Sequence, residues 1–178
     1  RLIYWFAVCT GLRQNEIRQL RVKDVFLDTT PPRVRVRAGT AKNGKEAYVP
    51  FTQDLADQLV DYWKDAELSD KAFPVTANRA RCVAIFKRDL TGAGIECNDI
   101  DAGEKLDFHC LRCTAITWWF TEYDLTVKEV SELARATPSI VERYSRRFRL
   151  NSHAWLAKAP DVQHIDDRCD VPKKSRIA

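Results

Sequence analysis

A chain of 178 residues fits one domain with a full core and leaves two domains cramped. Hydrophobic residues at 45% and charged residues at 30% exclude a disordered chain, and no apolar run approaches the roughly eighteen residues of a membrane span, so no membrane partner is expected. The net charge of +4 permits nucleic-acid binding without requiring it, and six cysteines are too sparse and irregular for a secreted disulfide scaffold, which points to a reduced, cytoplasmic setting.

In chain order, residues 2 to 9 read as an apolar helix that Thr10-Gly11 stops. Arg13 opens a second helix with Ile17 and Leu20 facing inward. A short strand is expected over 24 to 28, and Pro31-Pro32 separates it from the next. Arg33 to Arg37 alternates arginine with valine, the pattern of a half-buried strand with a charged outer face. Asn43-Gly44 is a hairpin turn, and residues 46 to 49 return antiparallel. Thr52 is expected to cap a helix running to about Ala66, and Asn78 to begin another that ends near Gly92 and Gly94. Residues 97 to 105 are polar and turn-rich, hence a surface loop. Helices follow at about 109 to 121, 126 to 135, 138 to 145 and 151 to 158, before a basic tail with Lys173, Lys174 and Arg176.

The expected fold is therefore mainly α with a small three-stranded antiparallel β-sheet, an α+β class. One domain spans residues 1 to 158, and a tail of residues 159 to 178 is mobile or contacts another protomer. The chain starts inside an apolar helical pattern at Arg1, which gives the expectation of a preceding domain that it does not include.

Five side chains carry chemistry. Arg13 sits in TGLRQNEI, Lys42 in TAKNGKEAYVP, His109 and Arg112 in DFHCLR, and Tyr144 in VERYSR. Two guanidinium groups can fork onto the non-bridging oxygens of one phosphate. A lysine can protonate a departing alkoxide, an imidazole can handle a nucleophile's proton, and a phenol can form a covalent ester. His109 and Arg112 are spaced i, i+3, so one helical face presents both. Each has a bland competitor. Arg13 could be a surface arginine paired with Glu16 or Asp24, and Lys42 could be edge protection, with Lys45 as its rival at the hairpin. Tyr144 could be a half-buried packing residue, although Arg143, Arg146 and Arg147 crowd it with positive charge. Cys110 and Cys113 form a C-x-x-C without the second half of a zinc site, so core thiols are preferred and no metal is expected.

In this order and these settings the residues resemble the catalytic domain of the tyrosine recombinase (phage integrase) family, over about residues 1 to 158. TGLRQNEI is similar to the segment bearing the first catalytic arginine, which implies that role for Arg13 and an accessory acidic role for Glu16. RAGTAKNGKEAYVPF resembles the β-hairpin and places Lys42 as general acid. DFHCLRCTAIT resembles the His-x-x-Arg helix, with His109 and Arg112, and PSIVERYSR the nucleophile segment, with Tyr144. The resemblance implies cleavage and rejoining of double-stranded DNA through a 3′-phosphotyrosyl link, without a cofactor. It also implies a homotetramer on paired sites, with the isolated domain a monomer. Lys45, Arg143 and Arg146 are then candidate DNA contacts. Two runner-up readings are a non-cleaving DNA-binding protein of this fold and a type IB topoisomerase-like strand transferase. A zinc or redox module on Cys110 and Cys113 is a third.

The chain departs from the family pattern in two places. Many members carry a histidine or tryptophan before the tyrosine that bonds the scissile phosphate, and here Arg135 or Ala136 takes that place. Arg135 is the candidate to donate to phosphate instead. Cys113 stands where many members have a second histidine, a position read as packing. The segment also runs one residue short after Arg135 and another after Ile140. Both gaps would close with one methionine each, and the chain contains none, where ordinary usage gives about four.

Overall fold

The computed structural model describes residues 2–41, 44–95 and 107–144. The expected loop at 97 to 105, the helix at 151 to 158 and the tail lie outside these residues, as do Lys42 and Asn43 of the hairpin turn.

Helix α1 (Leu2–Thr10) is apolar on nearly every face, so it can only be central. Phe6 and Ala7 are wholly buried, and the helix packs against α5 (His109–Thr121) and α3 (Gln53–Tyr62). Gly11 ends it at φ +58, and a Cβ there would lie 2.7 Å from Cη2 of Trp119. Only glycine suits both the left-handed backbone and the close approach. The short α2 (Gln14–Gln19) follows, burying Ile17.

Strands β1 (Val25–Phe26), β2 (Arg33–Val36) and β3 (Ala47–Pro50) form an antiparallel sheet in the order β1-β2-β3. Val25 faces Val34, and Val34 faces Val49. The valines of β2 point into the core, as the alternation predicts. β1 starts one residue later than expected because Asp24 is drawn into a 3-10 turn, Val22–Asp24, and it stops at Phe26, where the chain bends over residues 27–30. Its fully buried carboxylate receives Arg35 at 2.9 Å and Arg37 at 3.2 Å. The charged face of β2 is thus partly consumed within the protein.

α3 stops at Tyr62, short of the expected Ala66. Trp63 turns out of helical geometry, and its buried indole donates to the carbonyl of Ala72 at 2.9 Å. That tertiary bond overrides a helical pattern that reads on past it. Thr52 does occupy the N-cap position, but its side chain makes no cap hydrogen bond. Asn78 caps α4 (Arg79–Gly92) as expected, accepting from the backbone N–H of Arg81 at 3.1 Å.

α5 and α6 (Val127–Ala134) carry a second apolar cluster of Ala115, Ile116, Trp119, Val130, Ala134 and Val141, against which Tyr144 packs. Thr126 and Glu129 form a reciprocal capping box at the start of α6. Residues 138–144 are helical. Mostly helical with one small three-stranded antiparallel sheet, the architecture is the one expected.

Candidate active site

The turn after α1 builds the first part of the site. Leu12 is buried, which fixes the backbone and sets Arg13 at the N-cap of α2 in extended geometry. One oxygen of Glu16 accepts from the Arg13 backbone N–H at 2.8 Å, and the other from its Nη1 at 3.2 Å. The pairing with Glu16 that competes with a functional reading of Arg13 is therefore real. It does not bury Arg13, whose side chain stays 25% exposed beside a carboxylate exposed by only 2%.

The C-terminus of α6 supplies the second part. Arg135 caps it in the left-handed conformation, φ 51. Its Nη2 meets Glu16 at 2.5 Å, and its side chain is 5% exposed. Its main-chain carbonyl accepts from Nη2 of Arg13 at 3.5 Å. Arg112, on α5, donates from Nη1 to the carbonyl of Gly11 and from Nη2 to that of Ala134. Carbonyls at a helix C-terminus carry partial negative charge, so the end of α6 is a natural seat for these cations. Burial pushes the Arg112 guanidinium down to about 10, with repulsion from Arg13 and then Arg135 adding to the effect and Glu16 opposing it.

Tyr144 reaches the site from residues 138–144. Its phenol hydrogen-bonds the thiol of Cys113, and its pKa is raised, first by burial and then by Cys113, while Arg112 and Arg143 pull it down. Cys113, expected to be a packing residue, contacts the candidate nucleophile directly.

Next to Arg13 opens a polar cleft of about 350 Å³, lined among others by Arg18, Arg79, Asp107 and His109. Asp107 accepts from the His109 backbone N–H at 2.8 Å and pairs with Arg79 at 3.4 Å. His109 is exposed at this cleft, whereas Arg112 is buried one turn further along α5. The shared helical face thus splits by depth, and Arg13 is the residue that borders both.

Arg13, Glu16, Arg112, Arg135 and Tyr144 therefore cluster, with His109 alongside. Lys45 and Arg143 are exposed. Lys42 and Arg146 lie outside the described residues. Ala136 follows Arg135 and brings no polar side chain. Arg18 and Arg79 join the cleft without having stood out in the sequence. Arg79 carried a usable signal, since like Arg13 it is a cation at the start of a helix, against the helix dipole.

The description "Phage integrase family" matches residues 1–147. A 73-residue stretch is 38% identical to tyrosine recombinase XerA of Saccharolobus solfataricus, covering 41% of this chain and 24% of that protein. Among solved structures, a post-cleavage complex of the XerH site-specific recombinase with palindromic difH substrate aligns with a TM-score of 0.66 at 22% identity, over 89% of this chain and 46% of that one. The XerA recombinase crystal structure aligns with a TM-score of 0.65 at 18% identity, over 89% and 58%. The chain thus spans about half the length of the recombinases whose fold it shares.

Proposed function

The chain belongs to the phage integrase family, and from that premise we propose that residues 1 to 158 are the catalytic domain of a site-specific recombinase that cuts and rejoins double-stranded DNA. Tyr144 Oη attacks the phosphorus, the P–O5′ bond breaks, and a 3′-phosphotyrosyl link forms. Lys42 gives a proton to the departing 5′-oxygen, and His109 takes or orients the proton of the phenol. Arg13 and Arg112 stabilise the pentacoordinate transition state. The ester link keeps the bond energy, so the 5′-hydroxyl of a partner strand reverses the step without a cofactor. Paired sites call for a tetramer, with residues 159 to 178 as its contact segment. Among the described residues no helix is long and apolar enough to cross a membrane.

The observation that carries this reading is the convergence of Arg13 and Tyr144 on Arg112, from three separate parts of the chain, each within electrostatic reach of the Arg112 guanidinium. Its test uses nicked suicide duplexes selected by the full-length protein from a randomised pool. Wild type should form a covalent adduct, and Tyr144→Phe should lose it while keeping affinity. An adduct that survives would move the nucleophile elsewhere, with the exposed Tyr123 first in line.

Ala136 supports a second reading, a DNA-binding protein of this fold that does not cleave. Tight binding of selected duplexes by wild type with no adduct would favour it.

A further inference from the structure

The side chain of Arg135 is directed away from solvent, and it ends on Glu16 rather than on an open surface. Glu16 is therefore shared by two arginines: Arg13 through Nη1 and the backbone N–H, Arg135 through Nη2. Of the two, Arg13 is the one that lines the polar cleft. Arg135 adopts a left-handed backbone, φ 51, which is costly for a non-glycine residue. Glycine would remove that cost and also remove the ion pair. A strained residue held by a buried charge contact at the edge of a site has a reason to be there.

The charges give the reason. Glu16 pairs directly with Arg13 and Arg135 and lies within electrostatic reach of Arg112, so in this cluster of described residues three guanidinium groups face one carboxylate and leave two excess positive charges. A phosphodiester carries one negative charge, and addition of a phenolate oxygen makes it a dianion. The excess matches the transition state, and Arg135 supplies the charge that makes it so.

Building on the strand-transfer reading, we infer that Arg135 is a positioning residue that absorbs the charge of Glu16, so that the guanidinium of Arg13 is available to phosphate. It is not itself a phosphate ligand. Without Arg135, Glu16 keeps Arg13 as its cation partner and draws the guanidinium back. Removing the charge with Glu16→Gln as well restores the balance, since the neutral amide oxygen still accepts from Arg13 without competing for its charge.

The test compares wild type, Arg135→Gln, Glu16→Gln and the double substitution in the full-length protein, on nicked duplexes selected as above. Arg135→Gln should slow single-turnover adduct formation about a hundredfold. Adding Glu16→Gln should restore about tenfold or more of that loss. A purely structural role also lets the double substitution recover, because it removes a buried carboxylate left without its partner, so urea midpoints of the four proteins are read in parallel; adduct rates that merely follow those midpoints overturn the inference. A double variant as slow as Arg135→Gln, or slower, overturns the inference. Arg135→Lys keeps the charge and should stay close to wild type; a folded Lys variant slowed about a hundredfold from wild type also overturns it, and this arm stands if Arg135→Gln does not fold. Duplex affinity is read in parallel on a Tyr144→Phe background, where Arg135→Gln should weaken binding several-fold and the double should recover it. If wild type makes no adduct, the strand-transfer reading fails, and this affinity order still decides the charge relation.

Discussion

The guanidinium of Arg112 donates to the main-chain carbonyl of Ala134, the last residue of α6, so the helix end nearest the candidate nucleophile segment is fastened to α5 by a side chain of the site itself. The same guanidinium also holds Gly11. Arg112 is thus both an anchor and a candidate phosphate donor, and two of its five N–H donors are already engaged. Lysine presents a point charge and cannot span two carbonyls in a plane. Arg112→Lys should slow adduct formation about a hundredfold or more. It should also destabilise the domain by about 1–3 kcal/mol through a carbonyl left unpaired. Urea unfolding and single-turnover cleavage measure the two effects; cleavage lost with stability unchanged would remove the anchoring role.

Gly11 makes a separate prediction. The left-handed backbone and the approach to Trp119 leave no room for a Cβ. Gly11→Ala should cost about 1–2 kcal/mol from the backbone alone, and more from the contact with the indole. Because the Gly11 carbonyl holds Arg112, cleavage should fall as well. Against a Trp119→Phe background, which relieves the contact but not the φ, part of that cost should be recovered, as thermal unfolding of all four proteins measures. No recovery would mean that the contact contributes little.

Much of this arrangement was legible because it is local. The apolar run of α1 and its Thr10-Gly11 stop, the alternation of β2, and the i, i+3 relation of Arg13 and Glu16 all lie within a few residues. The ion pair between Arg135 and Glu16 joins positions 119 residues apart, and no local pattern encodes it. Sequence position alone suggests a phosphate donor at Arg135 and gives no sign of the buried partner that the fold supplies. The end of α3 escapes for the same reason, since the bond from Trp63 to Ala72 is a tertiary one. Cys113 looks like a packing residue in the sequence because its partner, Tyr144, comes from a different helical segment.

Tyr144 should leave a signature in the pH dependence of stability. Its phenol is raised above the usual value of about 10 by burial and by Cys113. A folded-state pKa above the unfolded one favours the folded protein while the phenol is protonated. That contribution is complete below the unfolded value and is lost as pH rises through the folded one. Wild type should therefore lose more stability than Tyr144→Phe as pH rises above about 10. Urea midpoints for the two proteins measure it, and parallel curves across that range would place the phenol in solvent.

The last prediction separates Lys42 from Lys45 at the hairpin. A general acid matters only when the leaving group needs a proton. The 5′-oxygen of normal DNA leaves as an alkoxide and needs one, whereas a 5′-bridging phosphorothiolate leaves as a thiolate that scarcely does. Lys42→Ala should nearly stop adduct formation on normal selected duplexes and be largely rescued on the phosphorothiolate. Lys45, exposed beyond the turn, should act as an ordinary DNA contact, so Lys45→Ala should lower both reactions modestly and by the same factor. Arg13→Ala should gain nothing from the sulfur, because the role proposed for Arg13 is at the phosphorus centre rather than the leaving atom. Rescue of Lys45→Ala in place of Lys42→Ala would hand the proton to Lys45. Equal rescue of Arg13→Ala would show that the sulfur substrate bypasses the whole site, and the acid would have to be sought elsewhere.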